Sequence, residues 1–344
     1  MESLSLEDSS GVAKTLKIIS EQMEESFAQA SRIKWKRTKV ANVVVAGMGG
    51  SNLASEMIRS VFSEQIKTPF ILVRDYFLPS FVNKESLVII SSYSGNTEET
   101  LNCYKQALAK KAKIFVLASG GSLLSLAKRN RTPFFQISLK YNPSKQPRYG
   151  IGSQLGVLLA VLKKTGIVSF SEIKQGVECL KKMEKVFGLE AKESPAKSLA
   201  KQLKGRLPVI IGSEFLSANA RILNNQINES AKNLAYYYFL PELNHHLLDG
   251  LKNPPLAVKK LKFIFLYSNL LSERILKRIK ATQKVLTKQK ISFVSYKAKA
   301  KTKFTASLEI LIFGSYLSFY LSRLNQEDPA RVEWVDYFKK ELAK

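Results

Sequence analysis

The feature that most constrains the fold of this 344-residue sequence is a repeated rhythm. A short apolar run leads to a Gly/Ser turn, then to an amphipathic stretch, then to another apolar run. The runs at 43–46, 70–73, 87–90, 114–118 and 134–137 are too short for helices and lack polar alternation. Strands buried on both faces of a parallel sheet look like this. Segments of helical period separate them, at 10–30, 53–62, 98–110 and 152–164. The pattern then restarts, with strands predicted at 207–211, 235–239, 261–266 and 291–296. Helices are predicted near 170–186, 195–204, 217–231, 273–289, 306–323 and 330–342. Strand, turn, helix, strand is the mark of βαβ units. The fold class expected is α/β: two tandem domains, each a parallel sheet flanked by helices, doubly wound and flavodoxin-like. The borders are set at 1–165 and 166–344, with no Gly/Pro-rich linker between them.

Charge narrows the partners. The chain has 54 Lys+Arg against 28 Asp+Glu, a formal +26, a field that draws anions. Its densest basic stretch, 277–303, is interleaved with Ile279, Val285, Ile291, Phe293 and Val294. That reads as an amphipathic helix and a strand with a lysine-rich wet face, and no base-reading module accompanies it. A nucleic-acid partner is therefore not expected. Cys103 and Cys179 have no metal or redox spacing and imply a reducing compartment. Two adjacent histidines, His245 and His246, are the only ones. They cannot supply the several spaced ligands that a catalytic metal site needs, so neither metal nor cofactor is expected. Residues 1–11 have no charged-then-apolar leader. Residues 306–321 are apolar but contain Ser307, Glu309, Gly314 and Ser315, and read as a buried helix. A cytoplasmic protein with no membrane partner is expected.

Three turns after predicted strands carry small and hydroxylated residues: 47–51 (GMGGS), 92–97 (SYSGNT) and 119–122 (SGGS). In a parallel α/β sheet, ligands bind outside the carboxyl ends of the strands. Free N–H groups at helix N-termini suit a phosphate there. No lysine lies in these loops and GxxxxGK[ST] is absent, so this is not a P-loop. The plainer alternative is that Ser51, Thr97 and Ser122 are helix caps.

The string from Ser92 to Thr100 resembles the phosphate loop of sugar-isomerase (SIS) domains. With Gly47-Met48-Gly49-Gly50-Ser51 it is similar to the first domain of the bifunctional phosphoglucose/phosphomannose isomerase family. Pro147-Arg148 resembles that family's Pro-Arg. Residues 225–232 (NQINESAK) and 241–245 (PELNH) resemble two further strings, in family order and at the family's spacing of sixteen residues from Glu229 to His245. The resemblance implies that Ser51, Ser92, Ser94 and Thr97 hold the sugar phosphate and that Gly49 and Gly50 line the pocket. It further implies that Glu229 shuttles the proton, His245 opens the sugar ring, Arg148 stabilises the enediolate, and Lys339 on a C-terminal helix joins them. A homodimer with its site at the subunit boundary is implied as well.

The chemistry fits the residue types. A carboxylate can carry a proton between C2 and C1, a histidine can move one at the ring oxygen, and an arginine can stabilise the enediolate. The expectation is a metal-independent isomerase interconverting glucose 6-phosphate and/or mannose 6-phosphate with fructose 6-phosphate. Departures from the family strings lie at His246-Leu247-Leu248, Ala54-Ser55-Glu56 and Leu223-Asn224. They keep two alternatives open, a non-catalytic sugar-phosphate sensor and an isomerase of another phosphosugar.

Overall fold

The computed structural model describes residues 8–35, 39–342 and 344. Residues 1–7, part of the segment read as having no leader, lie outside the described residues. The chain divides into two compact units. One is Lys17–Lys181, and the other joins the described residues up to Leu16 to Lys182–Lys344. The division falls inside the continuous helix Ile173–Phe187, which explains why no linker composition marks it.

In the unit Lys17–Lys181 the strands are β1 (Asn42–Ala46), β2 (Phe70–Val73), β3 (Ser86–Ser91), β4 (Lys113–Ala118) and β5 (Phe134–Gln136). All pair in parallel in the order β2-β1-β3-β4-β5, the flavodoxin-like arrangement. Residues 43–46 and 87–90 are buried at every position. Val44, Val88, Ile90 and Val116 pack on one face against Cys103, Tyr104, Leu123 and Leu124 of helices Glu98–Ala109 and Gly121–Arg129. Val43, Val45 and Ile89, which point the other way, are equally buried, so both faces are covered. Each such aliphatic side chain contributes about 1.5–3 kcal/mol relative to exposure. Among the helices of this unit, Ile19–Arg32 packs closely along Ile151–Thr165.

In the other unit, β6 (Leu207–Ser213), β7 (Tyr236–Leu240), β8 (Leu261–Ser268) and β9 (Ser292–Ala298) form a parallel sheet in the order β7-β6-β8-β9. The greasy segment is the helix Lys303–Leu324, buried from Phe304 to Ser322. It is long and apolar enough to cross a membrane by length and composition, yet its most apolar window lies wholly inside the protein. Its polar residues are satisfied internally. Ser307 donates to the Asn219 side chain at 2.6 Å, and Gln226 donates to Ser315 at 2.8 Å. The basic stretch is, as expected, the amphipathic helix Glu273–Lys288 followed by β9.

Candidate active site

Every loop expected to hold phosphate emerges at the carboxyl edge of the first sheet. The loop after β1 is tied to the loop after β3: Ser91 Oγ donates to the Ser51 carbonyl at 2.6 Å, and the Tyr93 N–H donates to Ser51 Oγ at 2.9 Å. Within the second loop, Ser92 Oγ donates to Thr97 Oγ1 at 3.0 Å and the Gly95 N–H donates to Ser92 Oγ at 3.2 Å. The loop after β4 closes on it. Ser119 Oγ donates to the Tyr93 carbonyl at 2.6 Å, and the Ser122 N–H donates to the Asn96 side-chain oxygen at 2.9 Å. Gly95 is required here. Its φ is +74°, and a Cβ would lie 1.9 Å from the Gly120 carbonyl oxygen.

The helix-cap alternative does not hold. Ser51 lies within the 3-10 turn Gly49–Asn52, and Ser122 lies inside the helix Gly121–Arg129. Thr97 does precede the helix Glu98–Ala109, but its side chain makes no capping bond and is engaged by Ser92 instead. The first-turn N–H groups of that helix thus face the loop without a side-chain cap, the arrangement an anion can use. Ser94 is exposed and Thr97 half-buried, whereas Ser51 and Ser92 lie behind them, buried.

Arg148 belongs to the same unit. It sits in the 3-10 turn Pro147–Tyr149, 1% exposed, with Nη1 donating to Gln146 Oε1 at 3.2 Å and its guanidinium 5.2 Å over the Tyr149 ring. The 47–51 loop presses against this turn. A Cβ on Gly50 would meet the Arg148 backbone nitrogen at 2.7 Å, so the glycine permits the approach. Sequence reasoning missed the residues that set these turns. Tyr93 is buried and its hydroxyl oxygen accepts from Asn142 Nδ2 at 2.6 Å. Burial pushes the Tyr93 phenol up to about 12, against the pull of that hydrogen bond. Tyr93 and Asn96 stand inside the quoted phosphate-loop string, where a signal existed. Asn142 carried none, because its partner Tyr93 is distant in the chain, and Gln146 stands just before the quoted Pro147-Arg148 without being part of it.

In the other unit, Glu229 is half-buried in the last turn of the helix Ser217–Ala231, which ends at Lys232 with φ +48°. Its neighbour Asn228 exchanges hydrogen bonds with the backbone of Ala235 at 3.2 and 3.4 Å, at the entry to β7. His245 lies beyond the far end of β7, exposed, in the 3-10 turn Glu242–His245. The five residues of β7 therefore separate the two levels, about 16 Å at the usual strand rise. Within one chain, Glu229 and His245 are not brought together. Asn244 fixes the histidine's turn by donating to Thr282 Oγ1 at 2.8 Å and accepting from Arg278 at 3.3 Å. His246 lies beside the Tyr238 ring, with centroids 5.8 Å apart. Lys339 sits on the helix Glu333–Leu342, which buries none of its residues.

The departures from the family strings have local explanations in two cases. Glu56 is buried and pairs with Arg74 at 2.6 Å. Leu223 is buried against Gly314 of the long apolar helix. Among the described residues, no group of three or more His, Cys, Asp or Glu side chains is gathered as a metal site would need.

Residues 192–342 match the family described as bacterial phospho-glucose isomerase C-terminal SIS domain. The bifunctional phosphoglucose/phosphomannose isomerase of Caldicellulosiruptor bescii is 32% identical over 94% of this chain and 96% of its own length. The protein of the same description from Thermoplasma volcanium is 33% identical over 90% of this chain and 94% of its own. Among solved structures, a candidate phosphosugar isomerase of Clostridium difficile 630 superposes with a TM-score of 0.75, covering 96% of this chain and 97% of that one. At 14% identity that likeness speaks for the fold alone.

Proposed function

Because the chain belongs to the bifunctional phosphoglucose/phosphomannose isomerase family, we propose that it interconverts glucose 6-phosphate and mannose 6-phosphate with fructose 6-phosphate. The route is an enediol and needs no metal. The observation that carries this reading is the interlocked set of Ser/Thr loops at one sheet edge, with the Arg148 turn packed against Gly50.

The phosphate lies at the uncapped start of Glu98–Ala109, held by Ser94 and Thr97, with Ser51 and Ser92 fixing the loops behind them. This grip, remote from the reacting carbons, supplies binding energy. His245 passes a proton to the ring oxygen and opens the sugar. Glu229 then takes the C2 proton and returns it to C1, and the Arg148 charge stabilises the enediolate between those steps. Glucose and mannose phosphates differ only at C2, so one enediol serves both.

The separation of Glu229 from His245 along β7 supports a site completed by a second copy of the chain, the homodimer expected from the family. The exposed aromatic helix Glu333–Leu342, with Trp334 78% and Phe338 62% exposed, supports the same assembly and gives Lys339 a place in it. The enzyme acts in the cytoplasm, in keeping with two unbridged cysteines.

Fructose 6-phosphate formation from each sugar, assayed with EDTA present, tests the reaction. Turnover should survive the chelator and vanish in Glu229→Gln. Binding without turnover in the unaltered chain would instead favour the sensor. Mixing Glu229→Gln with His245→Ala tests the shared site. Random mixed dimers should regain about a quarter of full activity, since half of them form and each holds one intact site. No recovery after subunit exchange would mean that both residues act from one chain.

A further inference from the structure

The two sheets share one strand order, and that correspondence exposes a site which the isomerase reading does not use. In β2-β1-β3-β4 and β7-β6-β8-β9 all strands are parallel, so β8 occupies the place of β3 and β9 the place of β4. The loops after β3 and β4 form the phosphate cradle of the first unit. Between the loops after β8 and β9, at the corresponding carboxyl edge, lies a cleft of about 430 Å³. It is lined by Ser268, Asn269, Leu270, Lys297, Lys299 and Lys301, with two alanines, and no acidic side chain lines it.

We propose that this cleft is a second anion site, for a small phosphate-bearing ligand held by Lys297, Lys299 and Lys301. Lys297 stands at the end of β9, and Lys299 and Lys301 follow it in the loop that leads into the helix Lys303–Leu324, so three lysines within five residues line the same cleft. All three are exposed, while Ala298 between them is buried. Three like charges beside one cleft repel one another until an anion enters, and a phosphate dianion relieves that repulsion.

The recognition chemistry differs from that of the first unit. There, small residues let backbone and hydroxyl groups approach the ligand. Here three of the loop N–H groups are already committed. The N–H groups of Lys299 and Ala300 donate to the buried Glu309 carboxylate at 3.0 and 2.9 Å, and the Leu270 N–H donates to Ser268 Oγ at 3.2 Å. Glu309 also accepts from Tyr296, which anchors the loop from behind. The lysine side chains therefore carry the binding, as point charges on flexible stems suited to phosphate without a fixed orientation. The volume lies in the range of small-ligand pockets, roughly 300–1,000 Å³, so the site admits an organic phosphate as well as the free anion.

Calorimetric titration of the full-length protein with inorganic phosphate, and separately with 6-phosphogluconate, which cannot isomerise, tests this. The unaltered chain should show two sites. The triple variant Lys297→Gln, Lys299→Gln, Lys301→Gln should lose one of them, with affinity there falling about tenfold or more as charge-assisted bonds are removed. A second triple variant, Lys280→Gln, Lys284→Gln, Lys288→Gln, on the exposed face of the helix Glu273–Lys288, removes the same charge elsewhere and should leave both sites. Ser94→Ala with Thr97→Val should lose the other site alone. Saturation by inorganic phosphate would identify a free-anion site, and saturation only by 6-phosphogluconate an organic-phosphate site. Equal losses in the two lysine variants, or none in the first with circular dichroism unchanged, would overturn the proposal.

Discussion

Gly50 shows how little room the site leaves. A methyl group there would lie 2.7 Å from the Arg148 nitrogen and 3.0 Å from Pro147, both backbone, so the turn bearing Arg148 would have to move. Gly50→Ala should lower kcat at least tenfold while the thermal transition changes little, a loss seen by steady-state kinetics beside calorimetry. Ser94 and Thr97 are the reachable hydroxyls of the loop, and replacing them with Ala and Val should raise KM more than it lowers kcat. Tyr93 plays a different part. Its hydroxyl receives the Asn142 N–H inside the protein, so Tyr93→Phe would leave a buried donor unsatisfied. That should cost about 1–3 kcal/mol in urea unfolding. The residue types of the loop after β3 were readable because they stand in one contiguous string. The Tyr93–Asn142 bond was not, since forty-nine residues separate its partners.

At the scale of elements, the pairing of Ile19–Arg32 with Ile151–Thr165 depends on glycine as a spacer. A Cβ at Gly156 would come 2.3 Å from the Met23 carbonyl oxygen, and one at Gly152 would come 2.6 Å from that of Ile19. Alanine favours an isolated helix over glycine by about 1 kcal/mol, so propensity alone predicts that Gly156→Ala stabilises. The packing argument predicts the reverse, because two backbones must part, at a cost of about 1–3 kcal/mol or more. A lower Tm for Gly156→Ala, by several degrees, is the expected outcome, and differential scanning calorimetry would decide the sign. The helix Lys303–Leu324 makes the same point from the other side. Its all-round apolarity marked it as buried in the sequence, but the Asn219–Ser307 and Gln226–Ser315 bonds that orient it span 88 and 89 residues.

For the whole molecule, buried groups that must stay protonated set its behaviour in alkali. Burial raises Tyr93 and Tyr320 to about 12 and Cys103 to about 11. In the unfolded chain these groups ionise near 10 and 8.5. The folded state therefore holds protons that the unfolded state has lost, and stability falls as pH rises. The contribution of these groups should be fully present below about pH 8.5, decline first through Cys103, and decline further between about pH 10 and 12 through the tyrosines. Urea midpoints across that range would show it, and Cys103→Ala should remove the earliest part of the fall. Light scattering at micromolar concentration should give the mass of a dimer; a monomer that still turns over both sugars would sink the shared site.

The sequence by itself determined the class of fold, because strands buried on both faces and amphipathic helices are local patterns of burial that need no knowledge of partners. It also determined the family, through strings of contiguous residues in a fixed order. Only the tertiary structure decided that Ser51 serves as an acceptor bridging two loops, that Glu229 and His245 stand at opposite ends of β7, and that three lysines of a wet face converge on one cleft. Those outcomes depend on which strand lies beside which and on where each loop closes. They are set by contacts between residues far apart in the chain, which no short window of sequence records.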